Sequence, residues 1–180
     1  MLLVLRSLAY ALLIITTLQI STNSVSAQEV SKPQASQLEA FEAKYQKINQ
    51  STDLYERLEW AEKLESQLNG YIKVHSDHPQ ALLLRAKLKL TLVAIQSERG
   101  AAAIDYWAFI SDVVDPIRYA ALADLQSVLK HTSDTKLIAE THYFLAQYYF
   151  AADEADQALI DQELKTACDG DYQKACQNLK

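Results

Sequence analysis

Apolar side chains recur at every third or fourth position through most of the chain, which is the spacing that lines one stripe of an α-helix. This pattern begins at Leu38 and predicts a first helix that ends near Asn49. A second helix is predicted to begin at Thr52 or Asp53, because Asp53 and Glu56 together resemble a helix-capping pair. Its apolar stripe comprises Leu54, Leu58, Ala61, Leu64 or Glu65, and Leu68.

The end of this second helix has two alternative positions. The Asn69-Gly70 pair is typical of a helix end. Alternatively, the helix passes through Gly70 at a cost of about 1 kcal/mol and continues over Val74. It would then end before His78-Pro79, because a proline disfavours the helical conformation of the residue that precedes it.

The later part of the chain continues the helical pattern. A third helix, 80–97, opens at Pro79 and is expected to be well buried, since its charged residues are only Arg85, Lys87 and Lys89. The Asp115-Pro116 pair is expected to separate a fourth helix from a fifth. The predicted later helices span about 104–113, 117–131, 136–151, 155–167 and 172–179. The inner face of the fifth helix, 117–131, is predicted at Tyr119, Leu122, Leu125 and Leu129.

Composition narrows the fold class. With only three Gly and three Pro in 180 residues, the chain lacks the regular turn signals of an all-β sandwich. Gly70, Gly100 and Gly170 are too far apart to form the Gly-rich loop of a dinucleotide- or phosphate-binding enzyme. Many helices with short connections favour an all-α fold of consecutive antiparallel helix pairs.

The N-terminal residues 1–27 have the layout of a secretory signal peptide, with Arg6 near the start and an apolar run over Leu8 to Ile20. The alternative is an uncleaved anchor, because this run approaches the roughly 20 residues that span a bilayer. Only in that case do we expect contact with a membrane. Residues 28–37 are expected to form a flexible lead-in to a helical domain, 38–180. The predicted location is periplasmic or secreted.

The net charge argues against nucleic acid as a partner. It is −6 for the whole chain and −7 without Arg6, and the basic residues form no long run. Binding to phosphate backbones needs a concentrated positive surface, which this pattern does not predict.

The stretch HYFLAQYYFAADEADQAL, 142–159, resembles a tetratricopeptide repeat (TPR). In that family small residues let the two helices of a pair cross closely, while a Leu and a Tyr fill the neighbouring groove. The matching positions are Leu145, Ala146, Tyr149 and Ala158. Residues 75–90 resemble the junction between two repeats, with Pro79 at the boundary and Ala86 in the small position. The resemblance implies that 38–180 is a short TPR-like α-solenoid of stacked antiparallel helix pairs.

The TPR resemblance also implies a binding groove, because the first helices of stacked pairs line a concave surface in such proteins. The register of Leu145 places in this groove Glu140, Tyr143, Gln147 and Phe150. The same register on the third helix gives Gln80, Leu83, Lys87 and Leu90. Two aromatic rings among amide and charged groups suit a peptide segment of another envelope or secreted protein. The alternative is that Tyr143 and Phe150 belong to the core.

The C-terminal stretch ELKTACDGDYQKACQNL, 163–179, resembles the cysteine-rich, secreted form of Sel1-like repeats. In those repeats two cysteines at the spacing of Cys168 and Cys176 join the helices of a hairpin, whose turn would here be Gly170 and Asp171. The resemblance therefore implies a Cys168–Cys176 disulfide. Two reduced, buried cysteines are an alternative, and a metal site is a weaker one because further ligands at suitable spacing are missing.

The histidines suggest little chemistry. His75 and His78 are interpreted as a solvated turn rather than a metal site, and His142 as a packed or hydrogen-bonded helix residue. We therefore expect no catalytic residue, no metal and no cofactor. The sequence predicts an exported, non-catalytic adaptor or scaffold for protein–protein interaction in the cell envelope. The alternative, implied by the Sel1-like resemblance, is a small hydrolase or binder of cell-wall or β-lactam compounds, although the chain has no S-x-x-K motif.

Overall fold

The structure is a computed structural model that describes residues 32–152 and 156–179, which belong to one compact unit. Within these ranges every regular element is helical, so the all-α prediction is confirmed there. The predicted signal peptide, 1–27, lies outside the described residues. The helices are α1 (Lys32–Gln50), α2 (Leu54–Val74), α3 (Pro79–Gly100), α4 (Tyr106–Phe109), a π-helical turn (Ile110–Val114), α5 (Asp115–His131), α6 (Thr135–Phe150), α7 (Gln157–Asp169) and α8 (Gln173–Asn178).

Helix α1 begins earlier than the sequence pattern predicts. Its first described residue is Lys32, so residues 32–37 of the expected flexible lead-in are helical, and residues 28–31 lie outside the described part of the chain.

Aspartate side chains mark where several helices begin. The Asp53 carboxylate accepts hydrogen bonds from the amides of Tyr55 and Glu56, each at 2.9 Å, as the sequence predicts. Asp134 and Asp156 cap α6 and α7 in the same way. Each such cap contributes about 1 kcal/mol and sets the direction in which the chain enters the helix.

Helix α2 passes through Gly70 and ends at Val74, so the second of its two alternative ends is the one observed. Gly70 is exposed, and a Cβ atom added there would have no heavy atom within 4 Å. The glycine therefore has no packing role, and its flexibility weakens the helix.

Replacing Gly70 by alanine should raise the free energy of unfolding by about 0.5–1 kcal/mol, because alanine loses less conformational entropy in a helix. Gly170→Ala is the matched control, since its added Cβ would lie 2.6 Å from the Cβ of Ala139 and should lower stability by about 1–3 kcal/mol. Urea unfolding of both variants measures the two opposite shifts. A loss of stability in Gly70→Ala would contradict this account.

The predicted break at Asp115-Pro116 does not occur, because the chain stays helical from Tyr106 to His131. Proline has no N–H to donate and would interrupt an α-helix at this point. The π-helical turn before it accommodates the change, with the amide of Asp115 donating to the carbonyl of Ile110, five residues back. The prediction was wrong because a wider turn replaces the expected loop.

Helix α3 lies at the centre of the domain and packs against α1, α2, α5 and α6. Its buried residues include Ala81, Leu82, Leu83, Leu84, Ala86, Leu88, Leu92 and Ile95. Leu83, which the TPR register placed in the groove, is only 3% exposed and belongs to the main core. That part of the groove prediction is wrong, because a helix with neighbours on several sides leaves little of its surface to solvent.

The predicted inner face of α5 is confirmed at Leu125, which is fully buried, and at Leu122 and Leu129, which pack against the main core. The fourth predicted residue, Tyr119, is 56% exposed instead. The buried residues are Arg118, Ala121, Asp124, Leu125 and Val128. Arg118 can be buried because its guanidinium pairs with the Asp115 carboxylate at 2.7 Å and donates to the carbonyl oxygen of Ala151 at 3.2 Å.

A second buried charge cluster joins α3 to α5. The Asp124 carboxylate accepts from Arg85 Nε and Nη2 at 2.8 and 2.6 Å. It also accepts from Lys89 Nζ at 2.9 Å, and Arg85 Nη1 donates to the side-chain oxygen of Asn69 on α2 at 2.8 Å. Arg85 and Lys89 of α3 therefore both face α5 and share one carboxylate.

Helix α2 packs against both α1 and α3, α5 packs against both α3 and α6, and α6 packs against α7. Helix α3 also contacts both α1 and α6. Short connections make consecutive helices antiparallel neighbours. Helices α1, α3 and α6 thus contribute to one common surface. Among the described residues, no helix has the length and apolarity that crossing a bilayer requires.

Helices α7 and α8 form a disulfide-linked hairpin. Cys168 and Cys176 are bonded, with their Cα atoms 4.9 Å apart, so the implied pairing is confirmed. Asp171 adopts a positive φ of 67° in the turn, which aspartate tolerates better than most residues. The amide of Tyr172 donates to the carbonyl of Ala167 at 3.0 Å and closes the turn. The hairpin therefore fixes the position of Tyr172.

The junction between α2 and α3 partly buries a histidine. His78 packs against the Tyr71 ring, with ring centroids 5.8 Å apart, and both of its ring nitrogens are buried without a hydrogen-bond partner in the described part of the chain. The interpretation of His78 as a solvated residue was therefore wrong. Burial lowers the pKa of His78, and repulsion from His75 lowers it further.

This burial predicts a loss of stability in acid. Because the folded pKa of His78 lies below the unfolded value of about 6.5, the unfolded chain takes up the proton first as the pH falls. The contribution of neutral His78 to stability is fully present above about pH 6.5 and is lost as the pH falls from there through the folded pKa. Melting temperatures at pH 7.5 and 5.5 should fall less in His78→Gln than in the parent chain. Equal losses would show that His78 does not contribute.

Candidate functional site

Lys87 lies at the centre of the surface that α1, α3 and α6 share. Its Nζ atom is 3.2 Å from Glu42 Oε1 on α1 and 3.3 Å from Glu140 Oε1 on α6. The Lys87 side chain is 12% exposed, whereas the side chains of Glu42 and Glu140 are 40% and 28% exposed. One ammonium group on the middle helix therefore links carboxylates on both flanking helices, and these carboxylates remain accessible to solvent.

The charge of Lys87 is stable in this setting. Burial lowers the pKa of Lys87, but the attraction of Glu140 and Glu42 outweighs burial and the net shift is upward. The ammonium group therefore stays protonated at neutral pH. In this state it is a hydrogen-bond donor and not a nucleophile.

Aromatic rings surround the ammonium group. The Nζ atom of Lys87 lies 5.2 Å from the ring centroid of Tyr45 on α1 and 5.7 Å from that of Phe144 on α6. The ring of Tyr143 is 5.3 Å from Phe144 and 5.0 Å from Tyr172, both between centroids. We call these seven residues the shared face: Glu42, Tyr45, Lys87, Glu140, Tyr143, Phe144 and Tyr172. Tyr45 is only 7% exposed, belongs to the main core and forms the buried base of this face.

The Tyr172 hydroxyl remains protonated. Burial raises the pKa of Tyr172 to about 12, with the negative charge of Glu140 and the neighbouring Tyr143 adding to the shift. A neutral phenol can donate and accept a hydrogen bond. Tyr172 lies in the turn between α7 and α8, so it extends the shared face toward the C-terminal end of the domain.

The predicted groove residues have different outcomes. Lys87 and Glu140 form an ion pair, whereas Tyr143 is half-buried and packs against the second core cluster, which favours the alternative that it belongs to the core. Gln147 is half-buried on the same helix, and Phe150 is 70% exposed at its end, so the alternative that Phe150 belongs to the core is wrong. The last two predicted groove residues, Gln80 and Leu90, lie on α3, as does the buried Leu83. Gln80 is exposed at the start of this helix, and Leu90 is half-buried against the main core.

Four residues of the shared face were missed by the sequence analysis: Glu42, Tyr45, Phe144 and Tyr172. Glu42 and Tyr45 are three residues apart on α1, a spacing that places them on one side of a helix. Applying the groove register to this first helix would have identified them. Tyr172 carries no such signal, because its position depends on the turn that follows α7.

His142 connects the two helices of the last pair. Its Nδ1 atom is 2.6 Å from Glu163 Oε2 on α7, which confirms the prediction of a hydrogen-bonded helix residue. Within residues 32–152 and 156–179, no three His, Cys, Asp or Glu side chains are grouped as a metal site.

Comparisons with protein-family models, with curated proteins and with solved structures found no match to this chain. The proposed function therefore rests on the geometry of the described residues.

Proposed function

We propose that this chain is an exported, TPR-like adaptor that holds a segment of another envelope or secreted protein against the shared face. The observation that carries the proposal is Lys87, which connects Glu42 and Glu140 at the centre of the surface common to α1, α3 and α6. The first helix of each pair contributes side chains to this surface, as the TPR resemblance implies. The surface combines fixed charges with aromatic rings, a composition that suits peptide recognition.

The charges of the shared face favour a partner segment that supplies hydrogen-bond donors. Two carboxylates and one ammonium group leave a net charge of −1, and the carboxylates are more exposed than the ammonium group. Their free lone pairs can accept from backbone amides, or from Lys and Arg side chains of the partner. The half-buried rings of Tyr143 and Phe144 add apolar contact area to the face.

Export is supported by two features of different kind. Residues 1–27 have a signal-peptide layout, and Cys168 and Cys176 form a disulfide. Disulfides of this kind persist in oxidising compartments such as the periplasm or the extracellular space. The disulfide is compatible with such a location and supports the proposal of a periplasmic or secreted protein.

The test is capture of a partner from envelope extract by immobilised protein, using a Glu42→Gln, Glu140→Gln double variant. Removing both carboxylate charges of the shared face, whose side chains are 40% and 28% exposed, should reduce the captured partner at least about tenfold, while the melting temperature changes by only a few degrees. Glu59→Gln, Glu62→Gln, which removes two exposed carboxylate charges from α2, is the matched control and should capture normally.

Two results would contradict the proposal. Equal capture by the double variant and the parent chain would place the binding surface elsewhere. Turnover of a chromogenic β-lactam or of peptidoglycan fragments by the purified protein would favour the hydrolase alternative instead.

A further inference from the structure

A separate cleft of about 170 Å³ opens between α1 and α2 and shares no residue with the shared face. Its rim carries three lysines, Lys44 and Lys47 on α1 and Lys63 on α2, all of which are exposed. Lys44 Nζ donates to Gln67 Oε1 at 2.7 Å, and Lys47 Nζ lies 3.8 Å from the ring centroid of Trp60. Neutral neighbours therefore position the ammonium groups of Lys44 and Lys47.

The floor of this cleft is apolar. It is formed by Ile48 and Leu64, each 1% exposed, and by the half-buried Trp60. A molecule in the cleft would contact an aliphatic surface and an indole ring at its base. Its outer end would lie among the lysines of the rim.

The charge of the cleft is opposite to that of the chain. The net charge of the chain is −6, yet every charged residue that lines the cleft is a lysine. In the described part of the chain, none of these three lysines makes an ion pair, whereas Lys87, Lys89 and Lys165 each do. Glu59 and Glu62 of α2 do not line the cleft. A bound anion would offset the three positive charges that line this one cleft.

We propose that the cleft binds a small organic anion, in which an apolar ring or short chain ends in a single carboxylate. The apolar part would lie on Ile48, Leu64 and Trp60, and the carboxylate would be held by Lys44, Lys47 and Lys63. An apolar cavity of about 150 Å³ accommodates a benzene ring, so a cleft of about 170 Å³ fits one ring with its substituent largely at the rim. The ligand is a free molecule in solution, and the inference does not depend on the adaptor function.

Trp60 provides a direct readout of occupancy. The chain has two tryptophans, and Trp107, which is 69% exposed on α4, can be replaced by phenylalanine. In a Trp107→Phe background, phenylacetate should produce a saturable change in the Trp60 emission. Neutral phenylacetamide should bind at least about tenfold more weakly, because it lacks the charge that the lysines bind. Acetate, which lacks the ring, should give no saturable change.

Lysine variants assign the binding to the cleft. Lys47→Gln and Lys63→Gln should each weaken phenylacetate binding several-fold, and the double variant should weaken it at least about tenfold. Lys130→Gln, which removes an exposed lysine from α5, is the matched control and should leave binding unchanged. Because all of these lysines are exposed, the variants should fold, which circular dichroism melts verify.

Several results would overturn the proposal. Equal binding of phenylacetate and phenylacetamide would show that the cleft binds through apolar contacts alone. Equal binding of acetate would show that the lysines attract anions without selecting an apolar group. A Trp60 response to phosphatidylglycerol vesicles but not to phenylacetate would assign the lysines to a membrane surface. The absence of saturation with both phenylacetate and hexanoate would exclude a site for such acids.

Discussion

Replacing Asp124 by alanine should lower the free energy of unfolding by about 3–5 kcal/mol, the largest effect that we expect from a single substitution in this chain. The carboxylate is 7% exposed and forms ion pairs with both Arg85 and Lys89, whose side chains are 18% and 9% exposed. Its removal leaves two cations largely buried without a counter-charge. Because domains of this size are stable by only about 5–15 kcal/mol, a large share of the stability would be lost. Urea unfolding measures the change.

Two control variants test whether the loss of stability comes from burial of the unpaired charges. Asp169→Ala removes the partner of Lys165 in an ion pair whose side chains are 67% and 72% exposed, and should change stability by less than about 0.5 kcal/mol. A triple variant, Asp124→Leu with Arg85→Met and Lys89→Met, removes the whole buried cluster and should be much more stable than Asp124→Ala. If Asp124→Ala were no more harmful than Asp169→Ala, the buried cluster could not be what connects α3 to α5.

Removing the disulfide should produce the second largest effect, a loss of about 2.5 kcal/mol from the closure of a short loop. We expect this loss in a Cys168→Ala, Cys176→Ala double variant, because the unfolded chain regains the freedom that the bond removes. Reduction of the parent protein by a phosphine tests the crosslink without altering any other side chain. Hydrogen exchange should show the largest increase in the amides of α8.

The same bond should affect the shared face. Tyr172 lies between the two cysteines in sequence, and its ring packs against Tyr143 at 5.0 Å. When the hairpin is no longer held closed, this ring contact should loosen and partner capture should weaken. Unchanged hydrogen exchange in α8 after reduction would show that packing alone, with Ala175 fully buried, holds the hairpin.

The sequence predicted the features that depend on local spacing. Asp53 caps α2 because its side chain reaches amides only two and three residues away. The Cys168–Cys176 disulfide has a similarly short separation of eight residues and came from a resemblance to one hairpin. Such features need little knowledge of the rest of the fold, so a single segment is enough to predict them.

The incorrect predictions concern contacts between segments that lie far apart in the sequence. Asp124 pairs with residues about 35 and 39 positions away, so nothing in the pattern of α5 shows that a charged residue faces inward while Tyr119 faces solvent. Leu83 was misplaced for a related reason, because the register of an outer helix was applied to the central one. The glutamates of the shared face meet Lys87 across 45 and 53 positions, and only Glu140 was predicted there.

The alternation of charges along α3 has a consequence for recognition. Residues two apart on an α-helix are turned by about 200°, so Lys87 and its neighbours Arg85 and Lys89 point to opposite sides. Ion pairs therefore hold the central helix from both directions, to α1 and α6 on one side and to α5 on the other. Neither rotation nor sliding of α3 is possible without breaking several of them. An incoming chain would meet a pre-organised surface, and little of its binding free energy would be spent on ordering the host.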